Sequence, residues 1–306
     1  MRRSKGLAAG LLAGVLLDRA LGDPRSGHPV AAFGRAAAEF ERRTWGDSRA
    51  RGVVFAGACV SGAVGLGMVA ESSRGRAAYP VLVAAATWAV LGGETLRREA
   101  LAVDELLAAG DLAAARRRVS HLVGRDPSGL DESGVARAAV ESVAENSSDA
   151  VVAPLLWGAV AGVPGLLGYR AVNTLDAMVG HRSVRYRNFG WASARLDDLA
   201  NLAPARLTAV IVALVSGRPG EVRRTVGRDA RRHPSPNSGW CEAAFAGALG
   251  LRLGGVNVYG GRAEERPALG DGEPPRPADP SRAAALSRRV GIVAALVAAA
   301  VAGART

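Results

Sequence analysis

"ESVAENSSDAVVAPLLWGAVAGVPGLLGY", residues Glu141 to Tyr169, sets three carboxylates, an amide and several hydroxyls in its first nine positions and then loses charge altogether. From Ala150 to Tyr169 no side chain ionises except the terminal phenol. About 20 such residues cross the hydrocarbon core of a bilayer. Acidic groups held at the rim of an apolar segment need a chemical reason.

The same alternation runs through the whole chain. Uncharged stretches occur at Gly6 to Leu17, Gly52 to Ala70, Ala77 to Gly93, Ala150 to Tyr169, Leu207 to Gly217 and Val290 to Ala304, separated by polar segments. Mean hydropathy is +0.11 although 22% of the residues are charged. The second, third and fourth stretches have near-spanning length, and the shorter ones depend on tilt or snorkelling arginines. The expected fold is an all-α, polytopic integral membrane protein with roughly four or five crossings. A soluble bundle with Ala-rich core helices is the alternative, disfavoured by interiors this long without charge.

The net charge of +11 is carried almost wholly by arginine, because Lys5 is the only lysine. A phosphate loop of the G-x-x-x-x-G-K-[ST] kind is therefore absent, and residue 5 is no place for a Schiff-base lysine to pyridoxal phosphate. Basic surface of this kind suits anionic lipid. It does not imply nucleic acid, since no basic segment is interleaved with stacking aromatics. Cys59 and Cys241 have no C-x-x-C spacing, so neither a disulfide framework nor a zinc site is expected. The basic, apolar N-terminus resembles a signal peptide, but Asp18, Arg19 and Asp23 stand where a cleavage site would be, and a retained first helix is expected.

Residues 94–149 read as a helical insertion in water. Gly110 is the expected stop of one helix and Asp111 the N-cap of the next. Over residues 133–146, Val135, Ala139 and Val143 recur at four-residue steps, leaving Arg137, Glu141 and Glu145 on another face. Residues 262–280, rich in Pro, Gly and acid, are the expected flexible linker. No internal repeat is apparent, and the whole chain reads as one domain.

Five polar stretches flank the apolar runs. They are "LLDRALGDPRSGHPV" with Asp18, Asp23 and His28; "GRDP" with Arg125 and Asp126; "ESVAENSSD" with Glu141, Glu145 and Asp149; the long stretch from Tyr169 to Arg206; and "HPSPNSGWCEAAFAGALGLRLGGVNVYGG". Glu145 and Asp149 repel if they share a helix face, a sign that a divalent cation would reverse. Asp149 could equally be a helix cap. Tyr169, Asn173 and Asp176 recur at helical steps, as do Asp197 and Asn201 with Asp198 beside them. Two readings stand for those stripes: a hydrogen-bonded seam between helices, or an anion-plus-metal site with Arg182, Arg185, Arg187 and Arg195 close by. His28, His181 and His233 are candidate metal ligands or caps. "GGVNVYGG" reads as a glycine-rich loop, able to approach a ligand or simply to turn.

Together these stretches resemble the CobD/CbiB family of cobalamin biosynthesis proteins, the adenosylcobinamide-phosphate synthases. "LGDP…HPV", "VGRD", "VESVAEN", "YRAVNTLDAMVGHR", "SARLDDLANLAPARL", "HPSPN", "EAAFAGALGLRLGG" and a later "LGD" fall in the family's order over nearly the whole chain. Ala150 and Val256 depart from it at positions where Gly and Pro are usual.

The resemblance implies a multi-pass protein of the cell membrane. It implies ATP-dependent amide formation between the propionate of adenosylcobyric acid and (R)-1-aminopropan-2-ol or its O-phosphate. Carried onto this chain, Glu145, Asp149, Asp197 and Asp198 would hold Mg²⁺ with nucleotide phosphates, and Arg125 and Arg182 would neutralise phosphate charge. Asn173, Asn237 and Tyr259 are the further nucleotide-binding candidates. Asp176, His181, His28 or Asp23 would handle the proton of the attacking amine. The other partners expected are membrane lipid and other corrinoid-pathway enzymes. Since ATP is cytosolic, the motif stretches should share the cytoplasmic side. Ala150 to Tyr169 should then dip into the membrane and return near the Gly162 to Pro164 break, instead of crossing. A transporter of an anionic solute, or a non-catalytic scaffold for corrinoid enzymes, are the alternative functions.

Overall fold

The computed structural model describes residues 3–24, 27–73, 75, 77–124, 126–181, 183–259 and 262–305, with the backbone alone at 258, 259, 262 and 263. Thirteen α-helices and one β-hairpin account for most of these residues. Four helical stretches are long and apolar enough to cross a membrane: Arg49–Ser72, Tyr79–Ala108, Glu132–Gly180 and Asp279–Ala304. A fifth is added if Trp191–Ala200 and Leu202–Val215 form one bent span. The fold is all-α and polytopic. Its residues divide into two compact units: Met1–Gly92, Asp149–Asn201 and Ala294–Thr306 in the first, Gly93–Ser148 and Leu202–Val293 in the second.

In the first unit, α1 (Arg3–Leu21) lies against α4 (Tyr79–Val90). The contact is close because a Cβ at Gly10 or Gly14 would overlap Val83 or Thr87, the small-residue packing typical of membrane helices. The amphipathic α2 (Pro29–Thr44) and the apolar α3 (Arg49–Ser72) meet α8 (Ala153–Leu175). Their shared core is Ala37, Phe55, Leu175, Val179 and Phe189. The rings of Phe40 and Phe55 stack at 5.7 Å.

The quoted stretch decides this unit. A five-residue π turn, Ser148–Val152, leads into α8, and a second π turn, Asp176–Gly180, follows it. Inside α8, Gly162 leaves helical geometry at φ 67°, ψ −148°, a region essentially reserved for glycine. The chain reverses there: Tyr169 has returned to within 3.3 Å of the Asp149 main-chain oxygen. Pro164 has no N–H to lose in the new first turn. The Val163 N–H, freed by the break, donates to Glu71 Oε1 at 2.9 Å. Tyr79 donates to the same oxygen at 3.2 Å, and Arg3 pairs with Oε2 at 2.6 Å. The expected hairpin is present, and a half-buried acid of α3, Glu71, closes its break.

In the second unit, α5 (Gly93–Ala108) and α6 (Leu112–Val119) form the expected helical hairpin. Gly110 sits at φ 73° and Asp111 caps α6 by accepting from Ala114 N at 2.8 Å. Val103, Leu107, Ala115, Val119, Val135 and Ala139 form the core beneath them. The last two belong to α7 (Glu132–Ser147), whose N-cap Asp131 accepts from Gly134 N. Two expectations are corrected. "GGVNVYGG" is mostly strand, because Leu253–Tyr259 (β1) pairs antiparallel with Arg262–Leu269 (β2). The expected linker 262–280 thus begins as ordered sheet. Alternating Val256 and Val258 suit a strand, and the bulge at Gly254 absorbs the register shift opposite Pro267. The remaining elements are α9 (Trp191–Ala200) in the first unit, α10 (Leu202–Val215), α11 (Pro219–Asp229) and α12 (Ser238–Leu249) in the second, and α13 (Asp279–Ala304).

Candidate functional site: two polar constellations

In the first unit the two helical stripes converge into one network. Tyr169 Oη donates to Asn201 Oδ1 at 2.9 Å. Asn201 Nδ2 donates to Asp197 Oδ2 at 3.0 Å, and Asn173 Nδ2 reaches Asp197 Oδ1 at 3.4 Å. Arg170 Nη1 in turn lies 3.5 Å from Asn173 Oδ1. Asp197 is thus the common acceptor of two amides, one oriented by a phenol and the other by a guanidinium. Asn201 is 1% exposed and Tyr169 3%, so this network is sheltered where hydrogen bonds strengthen. The seam reading of the stripes is therefore realised between α8 and α9. It leaves carboxylate lone pairs of Asp197 for other partners, since a carboxylate offers about four.

Asp149 and Asp197 both lie within electrostatic reach of Tyr169, and Asp23 and Asp149 within reach of Arg170. Asp149 and Asp176 each sit in a π turn, where the wider turn redirects side chains and functional residues are frequent. Asp198, beside Asp197 in sequence, pairs with Arg195 at 3.1 Å. His181 is exposed and packs edge-on against Tyr186 at 4.9 Å.

His28 caps α2: its Nδ1 accepts from Val30 N at 3.1 Å, with Pro29 at the first helical position. The ring proton then resides on Nε2, which stands 3.9 Å from Asp23 Oδ1. In this tautomer His28 offers a hydrogen to a ligand instead of accepting one.

The second constellation gathers three of the quoted motifs in the second unit. Glu141 Oε1 accepts from Gly254 N at 2.8 Å and so holds the β1 bulge, while Arg137 donates to the Gly254 and Val256 oxygens. One turn on, Glu145 Oε1 accepts from Ser238 Oγ at 2.7 Å at the start of α12. Ser235 Oγ accepts from the N–H groups of Asn237 and Ser238, which organises the "HPSPN" loop. Asn237 Oδ1 accepts from Arg206 at 2.8 Å, and that guanidinium stacks 4.6 Å over Trp240. His233 repeats the His28 geometry, with Nδ1 accepting from Ser235 N at 3.1 Å and Nε2 3.6 Å from Glu242. Burial, reinforced by Arg266, pushes the His233 pKa down against the opposing pull of Glu145.

Glu145 therefore belongs with Asn237 in the second unit, and Asp149, Asp197 and Asp198 with Asn173 in the first. Among the described residues no three His, Cys, Asp or Glu side chains gather closely enough to hold a metal alone. An oxygen-rich set of one or two carboxylates still suits Mg²⁺, which normally shares its shell with phosphate oxygens and water. Arg125, Arg182 and the Tyr259 side chain lie outside the described residues. The residues that sequence reasoning passed over are Arg170 and Arg206. Arg170 is three positions before Asn173, a helical spacing that could have found it.

A polytopic helical membrane protein with polar networks at the ends of its apolar segments is the class these features define. The CobD/Cbib protein family model matches residues 11–287. The cobalamin biosynthesis protein CobD of Mycobacterium tuberculosis is 53% identical over 296 residues, covering 95% of this chain and 94% of that protein. The CobD proteins of Rhodobacter capsulatus, 46% identical over 94% of this chain and 98% of the relative, and of Geobacter metallireducens, 47% identical over 88% and 87%, agree. The chain belongs to the CobD/CbiB family and has a role in cobalamin biosynthesis. No solved structure matches it.

Proposed function

We propose that the protein is an ATP-dependent amide ligase. It would join the acid group of adenosylcobyric acid to the amine of (R)-1-aminopropan-2-ol or its O-phosphate, giving adenosylcobinamide or its phosphate. The observation that carries this reading is the Asp197-centred network, set beside Asp149 and Arg170, at the end of an apolar hairpin. It offers carboxylates for a cation and a guanidinium for an anion within one sheltered site.

A carboxylate is inert to an amine until one oxygen can leave. Phosphorylation by ATP provides that leaving group and releases ADP; attack by the amine then forms the C–N bond and expels inorganic phosphate. Asp149, Asp197 and Asp198 would hold Mg²⁺, with Glu145 of the second unit a separate candidate ligand, and the ion would supply charge neutralisation at the phosphoryl group. The chain's own residues do the rest. Asp197 holds Asn173 and Asn201 in fixed orientation, so their amides are pre-organised toward a polar ligand. Asp176, Asp23 or His181 would take the proton that the ammonium must lose, a role for which the His28 tautomer is not set.

A transporter reading draws support from the helix broken at Gly162, since broken helices mark many transport sites. Against it, the freed Val163 N–H is already bound by Glu71, so the break offers no vacant donor there. Detergent-purified protein given ATP, cobyric acid and each amine separates the readings. ADP released one-for-one with the amide product, detected by mass, supports the ligase. Solute uptake into liposomes without amide formation would support the transporter.

A further inference from the structure

We propose that Arg35 is the residue that selects a phosphorylated amine: with the Nε2–H of His28 it holds the phosphate in a hollow between α2 and the end of α8, while Asp23 takes the ammonium. This inference rests on the ligase reading and deepens it by choosing between the two amines.

The hollow, of about 590 Å³, lies within the first unit. Two helical stripes wall it: Gly34, Arg35 and Ala38 on α2, and Arg170, Thr174 and Met178 at four-residue steps along α8 and the π turn after it. Gly34 leaves this wall open, because a Cβ there would meet only the Met178 sulfur, at 3.9 Å. His28, just before α2, lines the same space.

The groups around it carry both signs of charge. Of the arginines on α2, Arg42 and Arg43 pair with Glu39, whereas Arg35 is exposed and has no hydrogen-bond or ion-pair partner among the described residues. Capping leaves the His28 proton on Nε2, and the Asp23 oxygen 3.9 Å away is too far to accept it. Two donors, one of them a cation, thus face the hollow without an acceptor. Asp23, beside His28 and within electrostatic reach of Arg170, adds a carboxylate at the same place.

A simple anion would satisfy the donors but meet Asp23 uncompensated. A simple amine would satisfy Asp23 but meet Arg35 and Arg170. A small molecule with phosphate and ammonium a few bonds apart answers both, and 1-aminopropan-2-ol O-phosphate is such a molecule. Its short carbon chain finds Val30, Ala31 and Met178 in the wall. A phosphatidylethanolamine headgroup carries the same pair of charges, so the test includes it.

The test uses the full chain in dodecyl maltoside, without ATP or corrinoid, and equilibrium dialysis of aminopropanol O-phosphate, aminopropanol and propan-2-yl phosphate. Wild-type protein should bind the first about 10- to 100-fold more tightly than either of the others, the range of a hydrogen-bonded charge. Arg35→Gln should remove the advantage over aminopropanol, and Asp23→Asn the advantage over propan-2-yl phosphate. Because Arg35 is exposed, its variant should keep the wild-type unfolding midpoint. Gly34→Leu, whose side chain would enter the hollow, should also abolish the preference, and it carries the test if Arg35→Gln does not fold. A wild-type protein without the preference, or a preference that survives Arg35→Gln or Gly34→Leu, overturns the proposal. So does displacement of the O-phosphate by an equal concentration of dihexanoyl phosphatidylethanolamine, which would make the hollow a lipid-headgroup site. Turnover with ATP and cobyric acid is measured in parallel, and Arg35→Gln should raise the KM for the O-phosphate toward that for aminopropanol. Amide formation by Arg35→Gln with an unchanged KM for the O-phosphate refutes the site and leaves the ligase standing. Arg35-dependent binding without amide formation does the reverse.

Discussion

The phenol of Tyr169 lies 3.3 Å from the main-chain oxygen of Asp149, though 20 residues separate them. A straight helix of that length would hold its ends about 30 Å apart. The apolar run between them therefore reverses, and its two polar ends meet. Asp149 enters the hairpin where Tyr169 leaves it, in the same unit as Arg170, Asn173 and Asp197.

The hairpin stands on Gly162. Gly162→Ala would put a Cβ in a glycine-only conformation and against the Glu71 carboxylate. A loss of at least ~2 kcal/mol is expected from backbone strain alone. Thermal unfolding in detergent should show it; a midpoint equal to wild type would mean that the break is not held in this form.

Topology follows from the same unit. Asn188 Nδ2 donates to Asp47 Oδ1 at 2.8 Å, so the loops ending α2 and following α8 share a face. Arg42, Arg43, Arg49, Arg51, Arg185 and Arg187 make that face strongly basic, as cytoplasmic loops are. With Cys59 and Cys241 replaced, cysteines introduced by Ser48→Cys and Ser183→Cys should react with an impermeant maleimide only after permeabilisation. Labelling of either in intact cells contradicts the assignment.

Glu145 can be a metal ligand or an anchor for Ser238, and two variants separate these roles. Glu145→Gln is expected to lower amide formation at least ~100-fold, the scale for losing an electrostatic group at phosphoryl transfer, with partial recovery at raised Mg²⁺. Ser238→Ala should lose less than ~10-fold and show no Mg²⁺ rescue, since one neutral hydroxyl donor is worth about 1 kcal/mol. Equal losses without rescue would make Glu145 an anchor only.

A similar contrast tests Asp197. Asp197→Asn removes the charge and should reduce turnover by ~100-fold or more. Asn201→Ala breaks the seam but leaves the carboxylate, so its loss should stay below ~10-fold. If Asn201→Ala proves as damaging as Asp197→Asn, the network is structural and the cation lies elsewhere.

His233 links stability to pH. Its folded-state pKa is depressed, chiefly by burial, so the unfolded chain binds the proton first as pH falls. Stability is fully present above the unfolded value of about 6.5 and declines below it until the folded value is passed. His233→Gln should flatten this part of the profile between pH 7.5 and 5.5. An identical slope in wild type and variant would place the pH sensitivity in other groups.

Much of this molecule is written in one dimension. Runs without charge set which helices are long enough for the membrane, Gly110 with Asp111 marks the turn between α5 and α6, and the Gly162 to Pro164 break marks the reversal. Each depends on local spacing or backbone geometry, which neighbouring residues carry. Family membership was equally legible, because motif order is a property of the chain. What distance along the chain conceals is pairing. Periodicity placed Asn173, Asp197 and Asn201 on stripes, but a stripe looks the same whether it meets a metal or another stripe. Only packing joined them through Asp197. Glu141 and Glu145 share a helix face in either case; that one holds a β-bulge and the other the "HPSPN" loop follows from contacts more than 90 residues apart. The strand over 262–269 was hidden for the same reason, since a ladder exists only when its partner is beside it. Arg170 shows the limit most clearly: its type and spacing were visible, yet that its buried Nε meets no acceptor among the described residues is a property of burial, which only packing reveals.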